Sequence, residues 1–284
     1  MIPPGYRGLV EVAATAAAYG ARPIGASRAG RPIAAIEVGP VDAPRALVIA
    51  GLHPLEWIGV EVALALAAAW SAGPPPARRI AIVPVANPDG YAAVEADLRA
   101  GRRRWRRTSG PDAHGLGVDL NRNFPIGHQT APGWWRALPH GGPAPWSEPE
   151  ARALAAAVGE HPLERAVSLH SFGRMILLPW GHRGERPPRY RELLGHARAI
   201  ADRLPERYRI WQVGRHRPFR LGGLELDWLT ARGALALLVE CGGGGLRLTA
   251  PATWGAPFHW YNPPDGATAA APIAAAIAPF LAER

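Results

Sequence analysis

From residue 32 onward, short apolar runs of strand length alternate with longer stretches of helical pattern, and this alternation restricts the possible folds more than any other feature. "RPIAAIEVG" and "RALVIAGLH" read as strands. They are followed by "EWIGVEVALALAAAW" (Glu56 to Trp70), whose Ile58, Val60, Val62, Leu64 and Leu66 leave little polar surface and mark a well-buried helix. "RRIAIVPVAN" is a third strand. "SEPEARALAAAVGE" opens a helix, with Ser147 as its N-cap and Glu150 at capping-box distance. "ERAVSLHSF", "RMILLPWG", "YRIWQVG" and "ALALLVECGG" read as strands and "RYRELLGHARAIADRL" as a helix. A closing helix in "AAAPIAAAIAPFLAER" has Pro272 near its start and Pro279 as a kink or break, and a further helix occupies the N-terminal segment. With no repeat and no shift in composition, the pattern predicts one domain over residues 1–284, built around a mostly parallel sheet. Such sheets form their sites at the carboxyl ends of strands.

Between Asn87 and about Trp146 the periodicity fails, and Gly, Pro, Arg and Trp dominate. A loop of that length in a domain is read here as functional. With 48% apolar residues the chain can bury a sizeable core, and its single cysteine, Cys241, excludes an internal disulfide. The formal charge of +9 arises from 32 basic residues of which none is Lys. That pattern is compositional bias, so "GRRRWRR" (Gly101 to Arg107) reads as a solvated loop, and no nucleic-acid partner is expected. No stretch approaches ~20 uninterrupted apolar residues, and the N-terminus lacks a basic segment followed by an unbroken apolar one. The expectation is therefore a cytoplasmic protein without a membrane partner.

Three strand ends carry residues capable of chemistry. "VIAGLHPLEW" delivers His53 and, three residues later, Glu56 at the mouth of a helix, while "RAVSLHSF" delivers His170. A His, Glu, His set leaves a fourth tetrahedral position open, as a catalytic zinc site does. Singly, each histidine reads as a hydrogen-bonded structural residue; the coincidence of the His-x-x-Glu pair and His170 at strand ends, in an α/β chain without cysteine ligands, points to a metal. "LALLVECGG" brings Glu240 to the end of an apolar strand, where desolvation favours a raised pKa suited to a general base; the alternative is a glutamate facing solvent.

In this order the motifs resemble those of the zinc metallocarboxypeptidases of the pancreatic carboxypeptidase A type. "HPLE" is similar to their zinc motif, "VANPDGY" to their Asn-Pro-Asp-Gly turn, "SLHSF" to the segment of the last zinc histidine, and Glu240 stands where they have a catalytic glutamate. The resemblance implies an α/β fold of three layers, a mixed, mostly parallel sheet of about eight strands with helices on both faces. It implies one Zn2+ per chain held by His53, Glu56 and His170, with Glu240 as general base. "WRRT" implies that Arg106 polarises the scissile carbonyl. "GVDLNRNFP" (Gly117 to Pro125) implies that Asn121 and Arg122 bind a peptide's terminal carboxylate, a pairing that suits a planar guanidinium.

The chain also departs from that pattern. Phe219 stands near the place of the family's substrate-capping tyrosine, and Leu55 replaces an arginine inside the zinc motif. Both changes recur in murein-peptide amidases of the γ-D-glutamyl-diaminopimelate type, the alternative enzyme; a peptide-terminus-binding relative without hydrolysis is the non-enzymatic one. Near "GGLELDW", Leu226 at the floor of the specificity pocket implies apolar C-terminal residues, whereas Glu225 or Asp227 turned inward implies basic ones. Cys241 reads as a small buried strand residue. Trp134, Trp135 and Trp146 read either as walls of the cleft or as a cluster that stiffens the loop.

Overall fold

The computed structural model describes residues 1–104, 117–129, 140–216, 220–245 and 251–283. In chain order the first elements are α1 (Leu9–Ala18), β1 (Arg22–Ala26), β2 (Pro32–Val38), β3 (Arg45–Ile49), α2 (Trp57–Ala72), β4 (Arg79–Val83) and α3 (Pro88–Arg99). They are followed by α4 (Pro149–Val158), β5 (Leu163–His170), β6 (Met175–Leu178), α5 (Tyr190–Arg203), β7 (Arg209–Gln212) and α6 (Val213–His216). The last are α7 (Glu225–Ala231), β8 (Leu235–Glu240), α8 (Phe258–Tyr261) and α9 (Gly266–Ala282). The strands form one 8-stranded sheet in the order β1-β2-β4-β3-β5-β8-β6-β7. β4, β3, β5 and β8 run parallel through its centre, and antiparallel pairs join β1 to β2, β2 to β4 and β8 to β6.

Period-2 alternation sorts each central strand between two cores. Val48, Ile82, Val167, Leu169 and Val239 enter a core shared with α2, α5 and α9. Ile49, Val83, Ala166 and Leu238 face the other way, into a core with α4 and α7. The layers are therefore helix, sheet, helix, and the mixed α/β sheet expected from the sequence is present. The same alternation carries His170 and Glu240 onto the α7 side, two residues beyond Ser168 and Leu238. On the opposite side, α2 approaches β5 so closely that a Cβ at Gly59 would lie 2.8 Å from the Leu169 carbonyl oxygen.

Several local expectations are corrected. The irregular segment after Asn87 begins with α3, because Asn87 caps that helix, accepting from Gly90 N at 2.9 Å, and Pro88 stands at its first turn. Glu148, not Ser147, occupies the cap position of α4, and Pro149 starts the helix without needing a capped N–H. Asp265 caps α9, accepting from Thr268 N at 3.0 Å, so Pro272 lies inside the helix and the helix continues through Pro279. Phe258–Ala282 is long and apolar enough to cross a membrane by length and composition. It is nevertheless broken between Tyr261 and Gly266, and α9 buries Ile273, Ile277 and Phe280 in the first core.

Candidate metal centre and substrate site

The parallel strands β3 and β5 release their chains at the same edge of the sheet, and their register sets the site. His53 and Glu56 lie between β3 and α2, His170 is the last residue of β5, and all three are buried. Their candidate ligand atoms lie within 4.8 Å of one another. His53 Nδ1 is 2.8 Å from Glu56 Oε1, His170 Nδ1 is 2.9 Å from Glu56 Oε2, and the two Nδ1 atoms are 3.1 Å apart. Both imidazoles thus turn the same nitrogen toward one point and send Nε2 outward. His53 Nε2 meets Asp119 Oδ1 at 3.1 Å, and His170 Nε2 meets Glu225 Oε1 and Ser168 Oγ, each at 3.0 Å.

Two nitrogens and one carboxylate converging in a buried, cysteine-free pocket match the donor set of a catalytic zinc site. Outward Nε2 groups backed by acceptors match the usual support of metal-bound histidines. The electrostatics point the same way. Burial raises the Glu56 carboxyl, but His53 and His170 beside it outweigh this and hold it well below the usual carboxylate range. Burial opposes protonation of His170, yet Glu56 and Glu225 carry it well above its ordinary value.

Glu240 ends β8 as the register partner of His170, and Cys241 N donates to the His170 carbonyl at 2.7 Å. Adjacent strands and a shared face therefore set Glu240 beside the centre; the residue is partly exposed, and its Oε2 is buried. Burial, then the Glu240 and Glu56 carboxylates, push the Cys241 thiol well up, so it stays a neutral core side chain, as expected.

Asn121 and Arg122 lie in a 3-10 turn, Leu120–Arg122, capped by Asp119, which accepts from Asn121 N at 3.0 Å. Asp119 Oδ1 therefore supports both a metal ligand and the turn. Asn121 Oδ1 accepts from Glu225 N at 3.1 Å, which leaves its amide NH2 as the end available to a ligand. Arg122 Nη1 donates to Asn121 O at 2.6 Å. Gly223, at φ +71°, packs directly on this turn, and a Cβ there would collide with the Arg122 carbonyl.

The three pocket alternatives in "GGLELDW" are each committed elsewhere. Leu226 has no accessible surface and belongs to the second core, which corrects its assignment to a pocket floor. Asp227 accepts from Gly181 N and His182 N and pairs with His182 Nδ1 at 2.6 Å, and Glu225 faces His170. Trp146 stacks edge-on against Phe124 and Trp228, so it stiffens the loop. Arg106, Phe219, Trp134 and Trp135 lie outside the described residues. The sequence offers Glu225 only as an inward-turned alternative in the specificity pocket and gives Asp119 no role; the density of polar residues in "GVDLNRNFP" is the available signal for Asp119.

A mixed sheet with a His, Glu, His centre at the carboxyl ends of its parallel strands defines an α/β protein with a catalytic-type metal site. The zinc carboxypeptidase family model matches residues 19–236, and the chain belongs to that family. Zinc is therefore the metal that the triad fits. The chain is 28% identical over 223 residues to rat (Rattus norvegicus) mast cell carboxypeptidase A, covering 72% of this chain and 54% of that protein. It is 31% identical over 175 residues to zinc carboxypeptidase A 1 of Anopheles gambiae, covering 58% and 40%. It thus spans about half, or less, of the curated relatives it matches. Among solved structures, bovine thrombin-activatable fibrinolysis inhibitor in complex with tick carboxypeptidase inhibitor shares the fold. Its TM-score is 0.78 at 22% identity, covering 97% of each chain. The murein-tripeptide amidase MpaA of Escherichia coli O157 aligns with TM-score 0.58 at 21% identity, covering 93% of this chain and 92% of that one.

Proposed function

We propose that this protein is a zinc-dependent metallocarboxypeptidase that hydrolyses the C-terminal peptide bond of peptides. The observation that carries this reading is the shared use of Asp119. One carboxylate orients the metal ligand His53 and caps the turn that presents Asn121 and Arg122, so a bound chain terminus is held at a fixed distance from the metal centre. A device that fixes the terminus relative to the reacting bond is what exopeptidase action requires.

His53, Glu56 and His170 hold the ion. When bound, zinc supplies a Lewis acid that lowers the pKa of a coordinated water to about 7 and polarises a carbonyl. Arg122 pairs with the terminal carboxylate and the Asn121 amide donates to it. Glu240 takes the proton of the attacking water as its oxygen bonds to the carbonyl carbon. It then delivers that proton to the amine nitrogen as the C–N bond breaks. Arg106, by its place in "WRRT", is assigned to the developing oxyanion, and Phe219 to the apolar wall over the bound residue.

Release of the terminal residue from N-blocked dipeptides ending in Phe, Leu, Arg and Lys, with and without chelator, tests the proposal. Chelator-sensitive release supports it, and zinc-loaded protein that releases nothing counts against it. The second reading is a murein-peptide amidase, which Leu55 inside the zinc motif favours. Release from a γ-D-glutamyl-diaminopimelate peptide with none from the dipeptides selects that reading.

A further inference from the structure

The carboxylate behind His170 comes from a part of the chain with no obvious reason to carry one. Glu225 begins α7, whose Leu226, Trp228 and Leu229 enter the second core, and it has no accessible surface. Its Oε1 lies 3.0 Å from His170 Nε2, and its Oε2 has no hydrogen-bond partner among the described residues. A fully buried carboxylate with one oxygen unpaired is costly unless a positive charge stands close by. The adjacent imidazole, once its other nitrogen holds a cation, supplies that charge.

We propose that Glu225 is a positioning residue for the metal centre. It fixes His170 as Asp119 fixes His53, so that each histidine is backed by its own carboxylate. The inference rests on the zinc-site reading above and deepens it. The two supports are also joined. Asp119 accepts from Asn121 N, and Asn121 Oδ1 accepts from Glu225 N, so a hydrogen-bonded belt runs from His53 through Asp119, Asn121 and Glu225 to His170. The residue assigned to the substrate's carboxylate is the middle link between both histidines. Glu225 therefore sets the ring orientation of His170 and holds Asn121 in place, and it is not a reader of the substrate side chain.

The competing support is Ser168, whose Oγ is also 3.0 Å from His170 Nε2. A carboxylate oxygen is a stronger acceptor for an imidazole N–H than a hydroxyl, so the His170 Nε2–H donates to Glu225 Oε1. Zinc affinity by chelator competition, together with the absorption spectrum of the Co(II)-substituted protein, separates the two. Glu225→Gln and Glu225→Ala are expected to lose zinc affinity by about 10–100-fold, with the larger loss for Ala, and to shift the Co(II) bands. Ser168→Ala should stay within about threefold of the parent, well short of the carboxylate's effect. In the zinc-loaded parent the His170 Nε2 proton should appear as an exchange-protected, downfield imidazole resonance, a readout that needs no variant to fold.

Parent-like zinc affinity in Glu225→Gln, a larger loss in Ser168→Ala, or absence of that proton resonance overturns the proposal. A parent that binds zinc but hydrolyses no peptide defeats the carboxypeptidase reading while leaving Glu225 to be judged by affinity alone. A parent that takes no zinc overturns both.

Discussion

At the residue scale, the site divides into groups that act on the substrate and groups that hold those in place. Glu240→Gln keeps the shape of the side chain and removes its basicity. It should lower turnover by about 10²–10⁴-fold, the usual contribution of general-base catalysis, while zinc content measured on the same sample stays at the parent level. Parent-like turnover would remove Glu240 from the mechanism. Arg122→Ala should reduce kcat/KM on free-acid substrates by roughly 10–100-fold, the effect of losing a charge-assisted pair, and reduce it little on the corresponding C-terminal amides. An equal loss on both would show that Arg122 does not read the carboxylate. His53, Glu56 and His170 were legible in the sequence because each follows an apolar run, and strand ends are where such sheets build sites. Asp119 and Glu225 were not, since their partners lie 66 and 55 residues away, and short-range spacing carries no information about such pairs.

Elements were legible wherever one face is buried and the period is clean. β3, β4 and β8 fall inside the runs that predict them and β5 begins one residue before its own, because central parallel strands are apolar on both faces; the antiparallel β2 also falls inside its run. β1 is an edge strand that is largely exposed and reads as loop. α3 was lost in the Gly, Pro and Arg bias of its surroundings, although Asn87 and Pro88 signal its start. The segment after it is held by Asn123, a fully buried side chain. Its Nδ2 lies 2.6 Å from Gly141 O, 3.0 Å from Ala144 O and 2.8 Å from Ser147 Oγ, and its Oδ1 accepts from Glu148 N at 3.1 Å. Glu148 in turn receives both contacts of Arg28 Nη2. Asn123→Ala leaves several of these groups unpaired and should destabilise the protein by about 1–3 kcal/mol, measured by urea unfolding. It should also weaken substrate binding, because Asn123 adjoins the Asn121–Arg122 turn. Unchanged stability would mean that this loop is held from elsewhere.

At the scale of the whole molecule, the N-terminal segment is tied to α2 through a buried carboxylate. Glu61 accepts from Arg7 N at 2.9 Å and pairs with the Arg7 guanidinium. Burial raises its pKa above the ordinary 4.5, Arg7 offsets this only in part, and Glu11 adds to the rise. A carboxyl held more strongly as its acid in the folded chain contributes stability that is fully present below its ordinary pKa and is lost as pH rises through the folded value. The stability difference between the parent and Glu61→Gln should therefore shrink as pH increases from about 4 to about 7. A difference that grows over that range would reverse the assignment. The most direct measurement is zinc content by elemental analysis alongside release of the C-terminal residue from N-blocked dipeptides, with chelator removal and zinc restoration. One zinc per chain, release that stops on chelation and returns with zinc, is the expected result. Release that persists in metal-free protein, or a chain that binds no zinc at all, would contradict it.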